Sequence, residues 1–135
     1  ILEGGLGGGD RLAAPQLGIS QRLLVYRVGP DAPVTVLANP ELEWSSDDGE
    51  LGEEGCLSIP GITVDVDRPI HVRVRALDED GDERLVEASG LEARVIQHEM
   101  DHLDGVLILE RTSRDERKRA LRELREAEQR RAEAA

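Results

Sequence analysis

Alternation of apolar and polar positions is the clearest local signal along this chain. Ile70, Val72, Val74 and Ala76 interleave with His71, Arg73 and Arg75, the period-two pattern of a strand with one buried face. Asp80-Gly81 reads as a turn, and residues 84–88 return antiparallel as the second arm of a hairpin. Upstream, residues 23–28 and 34–38 are short aliphatic runs separated by Gly29, Pro30 and Pro33. They predict two strands around a turn, the second closed by Asn39-Pro40. The polar, acidic stretch 45–52 predicts a loop. Ser89 followed by Glu92 has the spacing of a capping box, so a helix is expected from Gly90, with Leu91, Val95, His98 and His102 on one inward face.

From Ser113 onward the chain has no Gly or Pro and is rich in Ala, Leu, Glu and Arg, which predicts a terminal helix. Ala120, Leu121, Leu124 and Ala127 form its narrow apolar stripe, and Asp115 with Arg119 and Glu126 with Arg130 are spaced to pair on its exposed face. Five of the first nine residues are glycine, so residues 1–10 are expected to be a flexible segment. With 135 residues in all, a single core is expected. Residues 11–112 would form the body that carries the chemistry, and residues 113–135 a charged helix belonging to the same domain.

Composition narrows the function. Trp44 and Tyr26 are the only aromatic residues, so base stacking is poorly supported. The net charge of −12 argues against a general DNA or RNA binder, which needs a basic face for phosphates. The charge is unevenly placed, because residues 111–135 carry nine basic against six acidic side chains. A single cysteine, Cys56, excludes an internal disulfide and suits a reducing compartment. No apolar run is long enough to span a bilayer, and the opening residues lack the pattern of a signal peptide. A cytoplasmic protein without a membrane partner is expected.

The candidate chemistry lies in Gln97-His98-Glu99-Met100-Asp101-His102. Histidines four apart occupy one side of a helix, about one turn from each other, so both can reach one ion while Glu99 faces its bound water. A catalytic site of this type needs a third ligand. A third histidine at the metzincin position is excluded, because Ile108 stands there. Glu110, Glu116 and Glu123 remain available, but none has a distinguishing context. Cys56 is the stronger candidate, because a thiolate binds soft and borderline metals well.

Glu54-Gly55-Cys56-Leu57-Ser58 and Gln97-His98-Glu99-Met100-Asp101-His102-Leu103, with Leu12-Ala13-Ala14-Pro15-Gln16-Leu17-Gly18 upstream, resemble the three signature motifs of peptide deformylases in their order. The resemblance implies an α+β fold of mostly antiparallel β-sheets packed around the central metal-binding helix. It also implies a metal-dependent hydrolase that removes the formyl group from the initiator methionine of new proteins and releases formate. By the same resemblance Cys56, His98 and His102 would hold one divalent ion, Fe²⁺ in cells, with Zn²⁺, Ni²⁺ or Co²⁺ able to substitute. Glu99 would be the general base, with the Gln16 amide and the Leu57 N–H stabilising the oxyanion. Gly55 would let the substrate backbone approach, while Leu91 and the stem of Arg94 would line the methionine pocket.

N-formyl-methionyl peptides and nascent chains are the implied partners. A ribosome contact through the terminal helix would involve Arg111, Arg114, Arg117, Lys118, Arg119 and Arg122. One departure from the family pattern is Arg11, where a glycine normally precedes Leu12-Ala13-Ala14. The alternative readings are a catalytically impaired homologue acting as a binding module, and a zinc peptidase that cuts internal bonds.

Overall fold

Two sheets lie on either side of one helix, which both of them contact. The computed structural model describes residues 22–56 and 59–134. The strands are β1 (Leu23–Tyr26), β2 (Thr35–Ser45), β3 (Gly49–Gly55), β4 (Thr63–Pro69), β5 (His71–Leu77) and β6 (Glu83–Ser89). Helices α1 (Gly90–Leu103), α2 (Ile108–Arg111) and α3 (Arg114–Ala134) follow. One antiparallel sheet has the order β1-β2-β5-β6, and β3 pairs with β4 in a second. The expected α+β class is observed. Residues 1–10 and the first motif, including Arg11 and Gln16, lie outside the described residues, as does Leu57.

The expected hairpin forms as β5 and β6, with Val72, Val74, Ala76, Val86 and Ala88 all buried. Its outer face carries the complementary charges, with Arg73 on Glu87 at 3.1 Å and Arg75 on Glu83 at 2.9 Å and Glu43 at 2.8 Å. The buried face packs with Leu24, Tyr26 and Leu37 against Ala93, Val95 and Ile96 of α1. A second apolar cluster joins Ile59, Ile62, Val64 and Val66 to Ile108 of α2 and Ala120 of α3. Helix α1 contacts β1, β5 and β6 on one side and β4 on the other, so both sheets brace the helix that carries the histidines.

Five local expectations are corrected. Strand β2 continues through Asn39-Pro40 to Ser45, because the ladder to β5 shifts register between Ala38 and Glu41 and so bypasses the missing proline N–H. Asn39 takes a left-handed φ of 50° at that step. The acidic stretch 45–52 is mostly strand: β3 begins at Gly49 and pairs residue by residue with β4. Its solvent-facing side chains account for the polar composition.

The Ser89 side chain does not cap α1, although the helix starts where expected. Its Oγ lies 2.6 Å from His71 Nδ1, and Tyr26 donates to Glu92 Oε2 at 2.9 Å. Both members of the expected capping box therefore have other partners. Burial, with the Glu92 bond second, pushes the Tyr26 hydroxyl well above its ordinary pKa and keeps it a donor. On α3, Arg119 pairs with Glu116 at 2.8 Å and Glu123 at 2.6 Å rather than with Asp115. Leu121 is exposed, whereas Ala120 and Leu124 pack against the β3–β4 side.

Candidate metal centre

The end of β3 and the second half of α1 bring Cys56 beside His102 and Glu54 beside His98. Glu54 and Gly55 are the buried last residues of β3, Cys56 follows immediately, and His98 and His102 are one turn apart on α1. The two imidazoles meet edge to face with ring centroids 4.6 Å apart. Cys56 Sγ lies 3.9 Å from His102 Nε2. A tetrahedral ion with bonds of about 2.3 Å to sulfur and about 2.0 Å to nitrogen would need roughly 3.6 Å between those atoms. The observed separation is within a few tenths of an ångström of that requirement, so sulfur and nitrogen fit one ion.

His98 is held in a defined orientation. Its Nδ1 lies 2.9 Å from Glu54 Oε1, and both residues are buried. With Glu54 ionised, that bond makes Nδ1 the donor, so Nε2 is the ring nitrogen that would ligate an ion. Glu54 in turn accepts from Arg68 Nε at 2.6 Å, Arg68 Nη2 at 2.9 Å and Arg94 Nη1 at 2.7 Å. Burial alone would raise the Glu54 carboxyl, but the bonds from His98 and Arg68, together with the Arg68 charge, outweigh it and hold the pKa at about 2. Arg68 also donates to Asp101 Oδ2 at 2.9 Å, and Arg111 closes on the same carboxylate at 2.9 and 3.1 Å. An ionic chain thus runs from the surface to His98.

Sequence reasoning missed Glu54 and Arg68 as members of this network. The available signal was strand phase: Arg68 continues the buried positions Val64 and Val66 of β4, where a cation needs a buried anion. Asp101 binds both Arg68 and Arg111. Glu99 is buried, with Oε2 3.8 Å from His102 Nδ1, whereas Cys56 lies near Nε2 of the same ring. Val95 and His98 face inward as expected, but Leu91 is 49% exposed and borders an open cavity together with Arg94.

Among the described residues, two groups bring three ligand atoms of His, Cys, Asp or Glu within 4.8 Å of one another: His98, Glu99 and His102, and Asp78, Asp80 and Asp82; Cys56 belongs to neither. In the second, Asp78 Oδ1 already accepts the N–H groups of Asp80 and Asp82 and shapes the β5–β6 turn. The first is the buried one.

Residues 5–118 match the family described as polypeptide deformylase. The chain belongs to that family. The peptide deformylase of Natranaerobius thermophilus is 48% identical over 103 residues, which cover 76% of this chain and 65% of that protein. The Picosynechococcus enzyme of the same name is 46% identical over 110 residues, 79% of this chain and 59% of its own length. The chain therefore spans somewhat less than two thirds of these deformylases. A Synechococcus elongatus peptide deformylase, solved in complex with actinonin, superposes with a TM-score of 0.75 at 48% identity, covering 85% of this chain and 65% of the other. Deformylase membership implies a divalent metal, and buried His98 and Glu99 with half-buried His102 form a group of described residues that could hold one. No helix among the described residues is long and apolar enough to cross a membrane.

Proposed function

We propose that this chain is a peptide deformylase, which hydrolyses the formyl amide of N-formyl-methionyl peptides and nascent chains to formate and a free amine. The approach of Cys56 Sγ to His102 Nε2, beside a His98 oriented by Glu54, carries the reading. Cys56, His98 and His102 would be the ligands, and Fe²⁺ is the ion proposed in cells, with Zn²⁺, Ni²⁺ or Co²⁺ as substitutes. A bound divalent ion supplies Lewis acidity and lowers the pKa of a coordinated water toward neutrality. Cys56 lies on the Nε2 edge of His102 and a Glu99 oxygen on the Nδ1 edge, which favours Glu99 beside the coordination shell rather than in it.

Glu99 then takes a proton from the attacking water and returns it to the departing nitrogen as the formyl C–N bond breaks. The Gln16 amide and the Leu57 N–H are assigned to the negative charge that gathers on the formyl oxygen. Gly55, next to the ligand sulfur, leaves room for the peptide backbone, while Leu91 and Arg94 would border the first side chain. A thiolate ligand suits a reducing compartment, and the cytoplasm is the one proposed.

A ribosome contact is proposed for α3, on which Arg114, Arg117, Lys118 and Arg122 are exposed. Arg111 and Arg119 are engaged in internal ion pairs. Formate release from formyl-Met peptides by the metal-loaded protein tests the function, with unblocked peptides assayed alongside. Glu99→Ala should keep the metal and lose about a hundredfold or more in rate. Cleavage of the unblocked peptides would point to a peptidase instead, and stoichiometric metal with no turnover of either would point to a binding module.

A further inference from the structure

A cavity of about 210 Å³ opens between β3, the β4–β5 junction and the first turn of α1. Leu51, Pro69, Ile70 and Leu91 give it apolar walls, and Glu50, Arg68 and Arg94 polar ones. Arg94 precedes His98 by four residues on α1, about 6 Å along the helix axis, so the cavity adjoins the candidate centre on the same helix face. The guanidinium is fixed across two strands: Nη1 donates to Glu54 Oε2 at 2.7 Å and to the Val66 carbonyl at 2.9 Å, and Nη2 donates to the Glu50 carbonyl. It lies over Gly52, where a Cβ would come within 2.8 Å of Arg94 Cζ. Glycine at 52 is therefore what leaves the guanidinium its place.

Among the described residues, those acceptors use three of the five guanidinium N–H bonds, which leaves the Nε–H and one Nη2–H for a ligand. The side chain is 12% exposed and its unpartnered Nε keeps contact with solvent, so an entering acceptor would take the place of water there. Gly90 and Leu91 bring the first turn of α1 to the same cavity, and the Ser89 hydroxyl is turned toward His71 instead of capping it. The partial positive charge of that helix end acts in the same direction as Arg94. An unbranched apolar side chain ending in a hydrogen-bond acceptor matches both the walls and the donors.

We propose that Arg94 reads the end of the substrate's first side chain, so that formyl peptides beginning with methionine sulfoxide are substrates alongside those beginning with methionine. Oxidation of the thioether places a strong acceptor oxygen at the tip of an otherwise unchanged linear chain. The bond broken is the same formyl C–N bond, and the sulfoxide passes through unaltered. Turnover rests on the deformylase reading above, whereas recognition of the side chain does not.

The test compares formyl-Met, formyl-Met-sulfoxide and formyl-norleucine tripeptides that are otherwise identical, using the Ni²⁺-loaded full chain and its Arg94→Met and Arg94→Lys variants. The expected result is a wild-type kcat/KM for the sulfoxide peptide within about tenfold of that for the thioether peptide. Arg94→Met should lower the sulfoxide-to-thioether ratio by about tenfold or more, and Arg94→Lys, which keeps a cationic donor, should recover part of it. Preference at the second residue should stay unchanged in every variant. A purely structural role would lower all three peptides by one common factor, and that result would overturn the proposal.

Calorimetric binding of the corresponding unformylated tripeptides gives a second readout, in which the shared amine and backbone cancel between peptides. Sulfoxide binding that weakens selectively in Arg94→Met supports the proposal even if no formyl peptide is turned over, an outcome that would sink only the deformylase reading. Sulfoxide binding no stronger than norleucine binding in the wild type overturns it.

Discussion

Replacing Glu54 by glutamine tests the buried network with almost no change in volume. The wild-type carboxylate is fully buried and accepts four charge-assisted hydrogen bonds, two from Arg68 and one each from Arg94 and His98. A glutamine amide keeps one acceptor oxygen and turns an NH₂ group toward one of these donors, while the buried cations lose their nearest anion. Breaking a buried ion pair on one side costs about 3–5 kcal/mol. The carboxyl's own titration gives the same scale: a pKa of about 2 against an ordinary 4.5 corresponds to on the order of 3 kcal/mol of preference for the charged form.

Against a total domain stability of roughly 5–15 kcal/mol, Glu54→Gln should leave the metal-free protein barely folded. It should also lower Zn²⁺ affinity by about 10–100-fold, because His98 loses the carboxylate that fixes its ring. Urea unfolding of the metal-free protein reads the first effect, and competition with a chelator reads the second. Adding Arg68→Met should recover part of the lost stability by removing the stranded cation. A stability change under about 1 kcal/mol together with unchanged Zn²⁺ affinity would refute the assignment of Glu54 as the support of His98.

Three further outcomes follow from the same structure. Glu54 is held at about 2 when folded and titrates near 4.5 when unfolded, so between those values the unfolded chain binds more protons and stability rises with pH. The stability gap between wild type and Glu54→Gln should be full above about pH 5 and close as the pH falls toward 2, and a constant gap across urea melts in that interval would contradict the linkage. Leu37→Ala, at a fully buried position facing α1, should cost about 2–5 kcal/mol by chemical denaturation, and a cost under 1 kcal/mol would mean that the site collapses freely. Stripping the metal with a chelator should lower the melting temperature of the wild type but not of a Cys56→Ser, His98→Ala double variant, because only the native ligand set stabilises the fold by binding.

Local chemistry made some of the fold legible in the sequence and hid the rest. The β5–β6 hairpin and the start of α1 were readable because alternation, Asp80-Gly81 and Gly90 each act within a few residues. Strand β3 was not, since Glu50, Glu53, Glu54 and three glycines give it no apolar stripe and its stability comes from pairing with β4. Pro40 disguised the continuation of β2 in the same way, because a register shift set by the β5 partner absorbs it.

At the site, the spacing of His98 and His102 was visible on one helix, and Cys56 was singled out by its chemistry and its motif. The meeting of Glu54, Arg68, Arg94 and Asp101 was not visible, because it joins β3, β4 and α1 across more than forty positions of sequence and exists only once both sheets flank the helix.

X-ray absorption at the metal edge of the Zn²⁺-loaded protein tests the central claim most directly. A shell of one sulfur at about 2.3 Å and two imidazole nitrogens at about 2.0–2.1 Å is expected, with the remaining position filled by a light atom and the sulfur lost in Cys56→Ser. A wild-type spectrum without sulfur, fitted by imidazole and carboxylate alone, would contradict it.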